Sequence, residues 1–266
     1  MIARSILITG ASSGIGRALA LAYAAPGVRL ALLGRDASRL AAVAEAARAK
    51  GAVVEAGTVD VRDRLAMASW IEAADIFQPF DLAIANAGIT TGLAPGALTE
   101  DPEAVRAILA TNLVGVLNTA EPLIAPMCAR GTGQLAFVGS LAGLHGLPYS
   151  PAYCVTKAGV HAYAESLRGR LEPQGVLVSL IIAGFVKTPL NDSIDAMKPG
   201  EITDAEAAAL IKRGLSKGKA TIAFPWFLYV LTRLGRLLPA RVYDRIMAGV
   251  TVTVPGTQER IGPENI

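Results

Sequence analysis

The sequence predicts an α/β protein, a single doubly wound domain in which helices cover both faces of a seven-stranded, mainly parallel sheet. Hydrophobic residues fill 52% of the 266 positions but aromatic residues only 5%, so Ala, Val, Ile and Leu dominate, as in buried parallel strands and their covering helices. Apolar runs of strand length alternate with helical periodicity along most of the chain. Since no linker or shift in composition divides residues 1–266, they are expected to form one domain.

The individual elements follow from these two patterns. Strands are expected at the short apolar runs, near residues 5–10, 28–34, 52–59, 81–86, 134–139, 176–183 and 220–224. Helices are expected where apolar residues recur three and four positions apart, near residues 14–25, 37–50, 63–75, 101–129 and 152–172. A broken helical region follows at 187–217.

Two segments depart from the regular alternation. Residues 187–219 contain two prolines and several glycines among polar residues, and are interpreted as a helical lid over a cleft. Residues 225–266 form a C-terminal extension, of which 225–248 combine apolar side chains with four arginines and one acid. Three interpretations of 225–248 remain open: core and subunit interface, a lid over an apolar pocket, or a helix resting on an anionic membrane.

Composition and charge exclude several classes of protein. The net charge of +3 is small and dispersed, which argues against nucleic-acid binding. Cys128 and Cys154 lie far apart without metal-ligand spacing, so neither a disulfide framework nor a metal site is predicted, and a cytoplasmic location is expected. The apolar runs are shorter than the roughly 18 residues that a membrane-spanning helix needs. Met1 to Arg4 lead directly into a strand pattern, so no signal peptide is expected.

A glycine-rich turn, Thr9–Gly16, links the first strand to the first helix. Its glycines, spaced as GxxxGxG, allow the backbone to turn sharply and to approach a pyrophosphate. The helix that follows presents its free N–H groups and the positive end of its dipole to that anion. The turn therefore predicts a dinucleotide site.

The end of the second strand bears on which nicotinamide cofactor binds. Asp36 lies 20 residues after Gly16 and is a candidate acid for a ribose 2′-hydroxyl. However, the apolar run stops at Leu33, which makes Gly34 the strand-end residue and Asp36 a helix N-cap. Because Arg35 adjoins the strand end, where it can accept a 2′-phosphate, NADP is favoured, with NAD as the alternative.

Further motifs make the sequence resemble the short-chain dehydrogenase/reductase family over roughly residues 4–190, with the match extending toward 224. Thr9–Gly16 matches the TGxxxGxG motif and 86–88 the NAG motif, and four residues stand in the catalytic order of the family: Asn112, Ser140, Tyr153 and Lys157. The resemblance implies a Rossmann-type fold and hydride transfer between a nicotinamide and a carbonyl or alcohol. The cofactor-binding residues it implies, together with those of the turn and Arg35, are Gly10, Ser12, Ser13, Gly14, Ile15, Gly16, Arg35, Asp60, Val61, Asn86, Ala87, Gly88, Tyr153, Lys157, Gly184, Val186 and Thr188.

The chemistry of Tyr153 and Lys157 can be argued from their spacing. Residues four apart share one face of a helix, so the ammonium of Lys157 is expected to lie near the phenol of Tyr153 and to lower its pKa. Tyr153 would then protonate a carbonyl oxygen, or accept the proton of an alcohol. Ser140 ends a strand at the edge where such sheets bind ligands, and is expected to hydrogen-bond the substrate oxygen.

The remaining candidate residues have less defined roles. Asn112 lies inside a predicted helix, where the resemblance implies that it holds a water of the proton relay to Lys157. Ala183 replaces a proline usual in the family, which is expected to loosen the turn before Thr188. The two histidines fit no metal or triad spacing; His145 is interpreted as a neutral loop residue, and Cys154 as a packing residue.

The sequence thus predicts an NADP-dependent oxidoreductase that has no nucleic-acid partner.

 The protein is expected to assemble as a homo-oligomer and to act on a small-molecule carbonyl or alcohol. Peripheral membrane contact through 225–248 is an alternative to a purely cytoplasmic location. Apolar residues around the expected cleft, Leu144, Leu147, Tyr149 and Phe185, favour a hydrophobic or lipid-like substrate. Two alternatives remain: a 3-oxoacyl-[acyl-carrier-protein] reductase, and a redox sensor that binds NADP(H) without turnover.

Overall fold

The computed structural model describes residues 3–90, 92–94, 96–192, 195–247 and 252–253. The strands are β1 (Ser5–Thr9), β2 (Arg29–Leu33), β3 (Val53–Gly57), β4 (Leu82–Ala85), β5 (Gly133–Ser140), β6 (Val176–Ala183), β7 (Val186–Lys187), β8 (Asp195–Ala196), β9 (Ile202–Thr203), β10 (Thr221–Phe224) and β11 (Val252–Thr253). The α-helices are α1 (Gly14–Tyr23), α2 (Ala37–Arg48), α3 (Arg64–Phe77), α4 (Pro102–Leu109), α5 (Gly115–Arg130), α6 (Pro151–Leu171), α7 (Pro189–Asp192), α8 (Asp204–Ser216), α9 (Trp226–Gly235) and α10 (Ala240–Met247). All seven expected strands and the expected helices are present, so the predicted α/β class is confirmed.

Seven strands form one parallel sheet in the order β10-β6-β5-β4-β1-β2-β3. The direction of winding reverses between β1 and β4, and the connections leaving these two strands run to opposite sides. A crevice opens at such a switch point, outside the carboxyl ends of the strands, and ligands of open α/β sheets bind there. The topology therefore places the glycine-rich turn after β1 and the Asn-Ala-Gly segment after β4 on the two sides of one crevice.

The core consists of two apolar layers, one on each face of the sheet. Successive side chains of β1 alternate between them: Ile6 and Ile8 belong to the layer under α1 and α8, and Leu7 belongs to the layer under α3, α5 and α6. All three are fully buried. Strands covered on both faces need apolar residues at every position, which explains the unbroken apolar runs in the sequence.

The interval 187–219, expected to be a lid, divides into two parts. Helix α8 packs against α1, and its residues Ala207, Ala208, Ile211 and Leu215 are buried in the core. Part of the expected lid is therefore a core helix, because the apolar residues of α8 share one face that meets the sheet. Residues 184–187 remain at the carboxyl edge of the sheet, where β7 pairs with β9.

A continuous helical stretch runs through α4, a π-helical turn at Ala110–Val114, and α5. By length and composition, residues 102–130 would be long and apolar enough to cross a membrane, but half of the apolar window is buried inside the fold. Val116, Leu123 and Met127 pack in the layer between α5 and the sheet. The hydropathy of this stretch is therefore accounted for by its position in the core.

Candidate active site

The glycine-rich turn is built by close backbone packing. Gly10 has a φ of 64°, and a Cβ there would lie 2.8 Å from Cα of Ala87. A Cβ at Gly16 would overlap the carbonyl oxygen of Gly10. Only glycine fits at these two positions, so the turn brings the start of α1 close to the end of β4.

The N-terminus of α1 is left open to an anion. Side chains cap the N-termini of α2, α3, α4 and α8, namely Asp36, Asp63, Asp101 and Thr203. In α1, by contrast, the N-cap residue Ser13 makes no side-chain capping bond among the described residues, and the first turn carries no acidic side chain. The first amides of α1 and its dipole are therefore available to a phosphate, as a dinucleotide requires. This cradle fits a pyrophosphate.

The Asn-Ala-Gly segment supports the turn from the other side of the crevice. Nδ2 of Asn86 donates to the carbonyl oxygens of Thr9, at 2.9 Å, and Gly10, at 3.3 Å. The backbone amides of Asn86 and Ala87 donate to Oγ1 of Thr9, at 3.1 and 3.2 Å. In this structure Asn86 thus fixes the shape of the turn, and Thr9 couples the ends of β1 and β4.

The end of β2 borders the same turn. A Cβ at Gly34 would lie 3.3 Å from the side chain of Ser12, and the exposed Arg35 follows directly. Asp36 is the N-cap of α2: its carboxylate accepts from the amide of Arg39 and also binds the side chains of Ser38 and Arg39. These bonds lower the pKa of Asp36 to about 2. The carboxylate of Asp36 is therefore engaged at its own helix, as the N-cap interpretation predicts.

Asp60 and Val61 follow β3, the next strand at this edge. Burial opposes ionisation of Asp60, but hydrogen bonds and the charge of Arg62, with the charge of Arg35, hold its pKa below the ordinary value. Arg62 lies 2.6 Å from the carboxylate, and Nδ2 of Asn118 donates to the Val61 carbonyl at 2.8 Å. The sequence reasoning missed both Arg62 and Asn118, although an arginine two residues after Asp60 was a visible signal.

Ser140, Tyr153 and Lys157 come together at the carboxyl ends of β5 and β6. Ser140 is the last residue of β5, and its hydroxyl is a hydrogen-bond partner of the Tyr153 phenol. Lys157, on the same face of α6, is buried; its Nζ donates to the carbonyl of Val138 at 2.9 Å and lies 5.6 Å from the centroid of the Tyr153 ring. The three residues thus form one cluster.

The electrostatics of this cluster differ from the expectation that Lys157 lowers the pKa of Tyr153. Burial raises the pKa of Tyr153 to about 12, and the hydrogen bond from Ser140 opposes that shift only in part. Burial also lowers the pKa of Lys157 to about 8. The expectation fails for a geometric reason, because the ammonium of Lys157 is directed to the carbonyl of Val138 in β5.

Asn112 lies in the π-helical turn between α4 and α5 and is fully buried. Its Oδ1 accepts from the amide of Ile89 and its Nδ2 donates to the carbonyl of Ile89, both at 2.8 Å. Both polar atoms of the side chain therefore hold the segment after Gly88. The wider helical turn explains how an amide fits inside an otherwise continuous helix.

The loop after Ser140 is held by α6. The backbone amide of Ser140 donates to Nε2 of His161 at 3.3 Å, and a Cβ at Gly143 would lie 2.7 Å from the His161 ring. Sγ of the buried Cys154 accepts from the amide of Leu147, in agreement with a packing role. His145 stacks on Tyr243 of α10, with ring centroids 3.4 Å apart. The function of His161 was missed because its partner is a backbone amide, which no sequence spacing reports.

Glu100 is a second support for α6 that the sequence did not suggest. Its Oε2 accepts from the amide of Ala152 at 2.7 Å, in the first turn of α6 and next to Tyr153. Burial raises the pKa of Glu100, and this hydrogen bond acts in the opposite direction. Glu100 therefore fixes the start of the helix that carries Tyr153 and Lys157.

The segment after β6 closes the crevice opposite the turn. A Cβ at Gly14 would lie 3.1 Å from the Thr188 methyl group, so Thr188 faces the start of α1. Ala183 ends β6, and the amide of Gly184 donates to the carbonyl of Phe224 at 2.8 Å. The turn expected to be loosened by Ala183 is therefore held by bonding to β10. Val186, in β7, is buried beneath it.

Comparison with known proteins agrees with this geometry. The family profile described as short chain dehydrogenase matches residues 4–199. The chain belongs to the short-chain dehydrogenase/reductase family.

Two relatives and one solved structure of another family member show how similar this short-chain dehydrogenase/reductase is to known proteins. An uncharacterized oxidoreductase of Myxococcus xanthus is 38% identical over 242 residues, covering 91% of this chain and 95% of the relative. A putative ketoacyl reductase of monensin polyketide synthase from Streptomyces virginiae is 31% identical over 79% of this chain and 80% of that protein. The structure of a short-chain dehydrogenase from Sphingobium yanoikuyae in complex with NADPH is 26% identical, with a TM-score of 0.77 over 93% of this chain and 96% of that one. The chain is accordingly an oxidoreductase of this family, with its NAD(P)-binding fold.

Proposed function

We propose that the protein is an NADP(H)-dependent reductase of hydrophobic ketones or aldehydes. The observation that carries the proposal is the pairing of the Ser140 hydroxyl with the Tyr153 phenol, with the buried Lys157 5.6 Å from the Tyr153 ring and the open N-terminus of α1 at the same carboxyl edge of the sheet. A site that only senses a nucleotide needs the phosphate cradle but has no use for a phenol paired with a hydroxyl at the adjoining strand end.

The proposed chemistry assigns one step to each group. The nicotinamide, when bound, supplies or accepts the hydride. Ser140 donates a hydrogen bond to the substrate oxygen and stabilises the negative charge that develops there. Tyr153, protonated because burial keeps its pKa high, gives its proton to that oxygen as the alcohol forms. Lys157, held by the Val138 carbonyl, would bind the ribose of the nicotinamide, the cofactor role that the family resemblance implies for it.

The preference for NADP(H) rests on the edge next to Ser12. Arg35 lies beside the turn, while Asp36, the acid that would favour a free ribose 2′-hydroxyl, is engaged at α2. A 2′-phosphate would gain a charge-assisted hydrogen bond from Arg35. The NADPH complex of the Sphingobium protein supports the same assignment.

The substrate class follows from the loop above Ser140 and from the segment after β6. Leu144, Leu147, Tyr149 and Phe185 are all partly buried at this edge, which suits an apolar group flanking the reacting carbonyl. The relative from monensin polyketide synthase keeps a 3-oxoacyl substrate as a second candidate. Comparing free hydrophobic ketones with 3-oxoacyl thioesters of an acyl carrier protein separates the two.

The decisive experiment follows oxidation of NADPH with a panel of hydrophobic ketones, aldehydes and 3-oxoacyl thioesters. Wild-type protein should turn over one of these classes, and Tyr153→Phe should lose at least about 100-fold in kcat, as for loss of a positioned proton donor. NADPH binding, measured by fluorescence, should stay within about twofold, because the cradle is unchanged. The Tyr163→Phe variant, in the same helix but packed on Phe137, is the matched control and should keep its activity. Full activity in Tyr153→Phe would refute the mechanism, and NADPH binding with no turnover of any class would favour the sensor.

A further inference from the structure

The C-terminal helix α9 presents apolar side chains on two faces. One face meets the body of the protein through Leu228, Tyr229 and Thr232, which are partly buried. The other face is exposed to solvent and is nevertheless apolar. A surface helix needs only one apolar stripe, so the second is unexplained by the fold.

The exposed face follows helical spacing. Trp226, Val230 and Leu234 recur every four residues, and Phe227 and Leu231 form the adjoining row. Trp226 is 72% exposed and Leu231 64%. Exposed apolar side chains continue through the connection into α10, at Leu237, Leu238, Val242 and Ile246. The two helices lie close together, since a Cβ at Gly235 would lie 3.6 Å from the Tyr243 ring. Contiguous exposed patches of this kind mark interaction sites.

Cations dominate the surroundings of this patch. Arg233, Arg236, Arg241 and Arg245 are all exposed, and Asp244 is the only acid of the two helices. Aromatic and aliphatic side chains bordered by arginines and a tryptophan are the pattern of helices that lie in the interface of an anionic bilayer. A protein partner would have to supply matching acids.

Two other occupants fit this patch less well, one for its charge and one for its apolar content. In a two-fold dimer the same patch faces itself, which would bring four arginines of one subunit against four of the other. Residues 254–266 lie outside the described part, but their sequence, VPGTQERIGPENI, contains only three large apolar residues, too few to cover nine. A lipid surface satisfies both the apolar area and the charge.

The patch is attached to the substrate side of the protein. Tyr243 of α10 stacks on His145 in the loop after Ser140, and a Cβ at Gly200 would lie 3.1 Å from the Phe227 ring. A bilayer that contacts α9 and α10 would therefore lie next to the rim of the cleft. This arrangement would let an apolar substrate enter from the lipid, a consequence that rests on the proposed function.

We propose that α9 and α10 form a peripheral membrane-binding surface for anionic lipid bilayers. The exposed apolar side chains insert among the acyl chains near the headgroups, and the four arginines pair with anionic headgroups. Binding is therefore expected to require anionic lipid and to weaken as salt screens the arginines.

The test uses the full-length protein with vesicles of phosphatidylcholine alone and of equal parts phosphatidylcholine and phosphatidylglycerol. Wild-type protein should co-sediment with the anionic vesicles, with its Trp226 emission shifted to the blue, and bind neutral vesicles about tenfold or more weakly. The variant Leu231→Glu/Leu234→Glu should lose about tenfold or more in binding to anionic vesicles. The matched control, Leu65→Glu/Ile76→Glu on α3, alters two residues of similar exposure and should bind as wild type. Unchanged melting temperatures keep both variants interpretable.

Each other outcome overturns the proposal in a definite way. Equal binding by wild type and Leu231→Glu/Leu234→Glu, or no binding by wild type, removes the membrane surface. If light scattering instead finds that this variant halves the molar mass of the protein in solution, the patch is a subunit interface. If a chain ending at residue 253 binds where wild type does not, residues 254–266 cover the patch. The assay needs no turnover, so failure of the proposed reductase activity would leave its result unaffected.

Discussion

The backbone amide of Ser140 donates a hydrogen bond of 3.3 Å to Nε2 of His161. His161 is buried in α6, one turn beyond Lys157. Burial, together with the nearby charge of Lys157, lowers the pKa of His161 to about 4, so the ring is neutral near pH 7 and Nε2 is free to accept. A buried residue therefore fixes the backbone that carries the hydroxyl of the site.

Removing this acceptor should disturb the active site by releasing the backbone of Ser140. His161→Phe leaves the Ser140 amide without its partner and should cost about 1 to 3 kcal/mol in the free energy of unfolding. We expect kcat to fall while the affinity for NADPH stays within about twofold, because His161 makes no hydrogen bond to the described residues of the phosphate cradle. His161→Gln, which keeps a side-chain acceptor, should recover part of kcat. Urea unfolding and steady-state kinetics check both, and an unchanged kcat in His161→Phe would rule out a positioning role.

His161 should also make the protein sensitive to acid. Its pKa in the folded state, about 4, lies below its ordinary value of about 6.5, so the unfolded chain takes up the proton first as the pH falls. The stability associated with the neutral ring is complete above about pH 6.5 and is lost progressively down to about pH 4. Wild type should therefore lose up to about 1.4 kcal/mol per pH unit more than His161→Gln in this window. Urea unfolding of both proteins across that range measures the difference; parallel slopes would contradict it.

The sequence predicted the framework because the framework depends on local patterns. Apolar runs covered on both sides gave the strands, and the spacing of glycines gave the turn at Gly10 and Gly16, where no Cβ fits. Asp36 was also predicted as an N-cap, because its position relative to α2 is set within a few residues. These features can be recognised from residues that lie close together in the chain, although a distant residue, Ala87, is what excludes a Cβ at Gly10.

The sequence failed where the outcome depends on distant backbone. The spacing of Tyr153 and Lys157 placed both on one face of α6, but it could not report that the Val138 carbonyl of β5 takes the ammonium. Likewise, α8 was taken for part of a lid because only tertiary packing brings it against α1. Backbone acceptors leave no signature in side-chain spacing.

Arg35 should control the choice of cofactor. Replacing it in Arg35→Ser removes a charge-assisted hydrogen bond to a 2′-phosphate, worth about 1.5 to 3 kcal/mol, or about 10- to 100-fold in the KM for NADPH. The KM for NADH should stay nearly constant. Arg39→Ser is the matched control, because Arg39 is also exposed in this region but pairs with Asp36. Steady-state kinetics with both cofactors decide; an equal rise in both KM values would mean that Arg35 has no role in the preference.

Two buried asparagines hold different ends of the crevice by the same kind of bond. Asn112 binds the amide and carbonyl of Ile89, and Asn118 donates to the carbonyl of Val61, all at 2.8 Å. Asn112→Ala and Asn118→Ala should each lose about 1 to 3 kcal/mol in the free energy of unfolding, because buried backbone groups lose their partners.

The two variants should nevertheless differ in kinetics. Asn112 supports the segment after Gly88, which follows β4, the neighbour of the strand that ends at Ser140, so Asn112→Ala should lower kcat. Asn118 supports the edge near Asp60, so Asn118→Ala should raise the KM for NADPH and leave kcat within about threefold, since a displaced binding loop weakens ground-state binding. Urea unfolding establishes that the structural losses are comparable, and kinetics at saturating substrate separate the two effects. If both variants lower kcat equally, Asn112 acts only through overall stability.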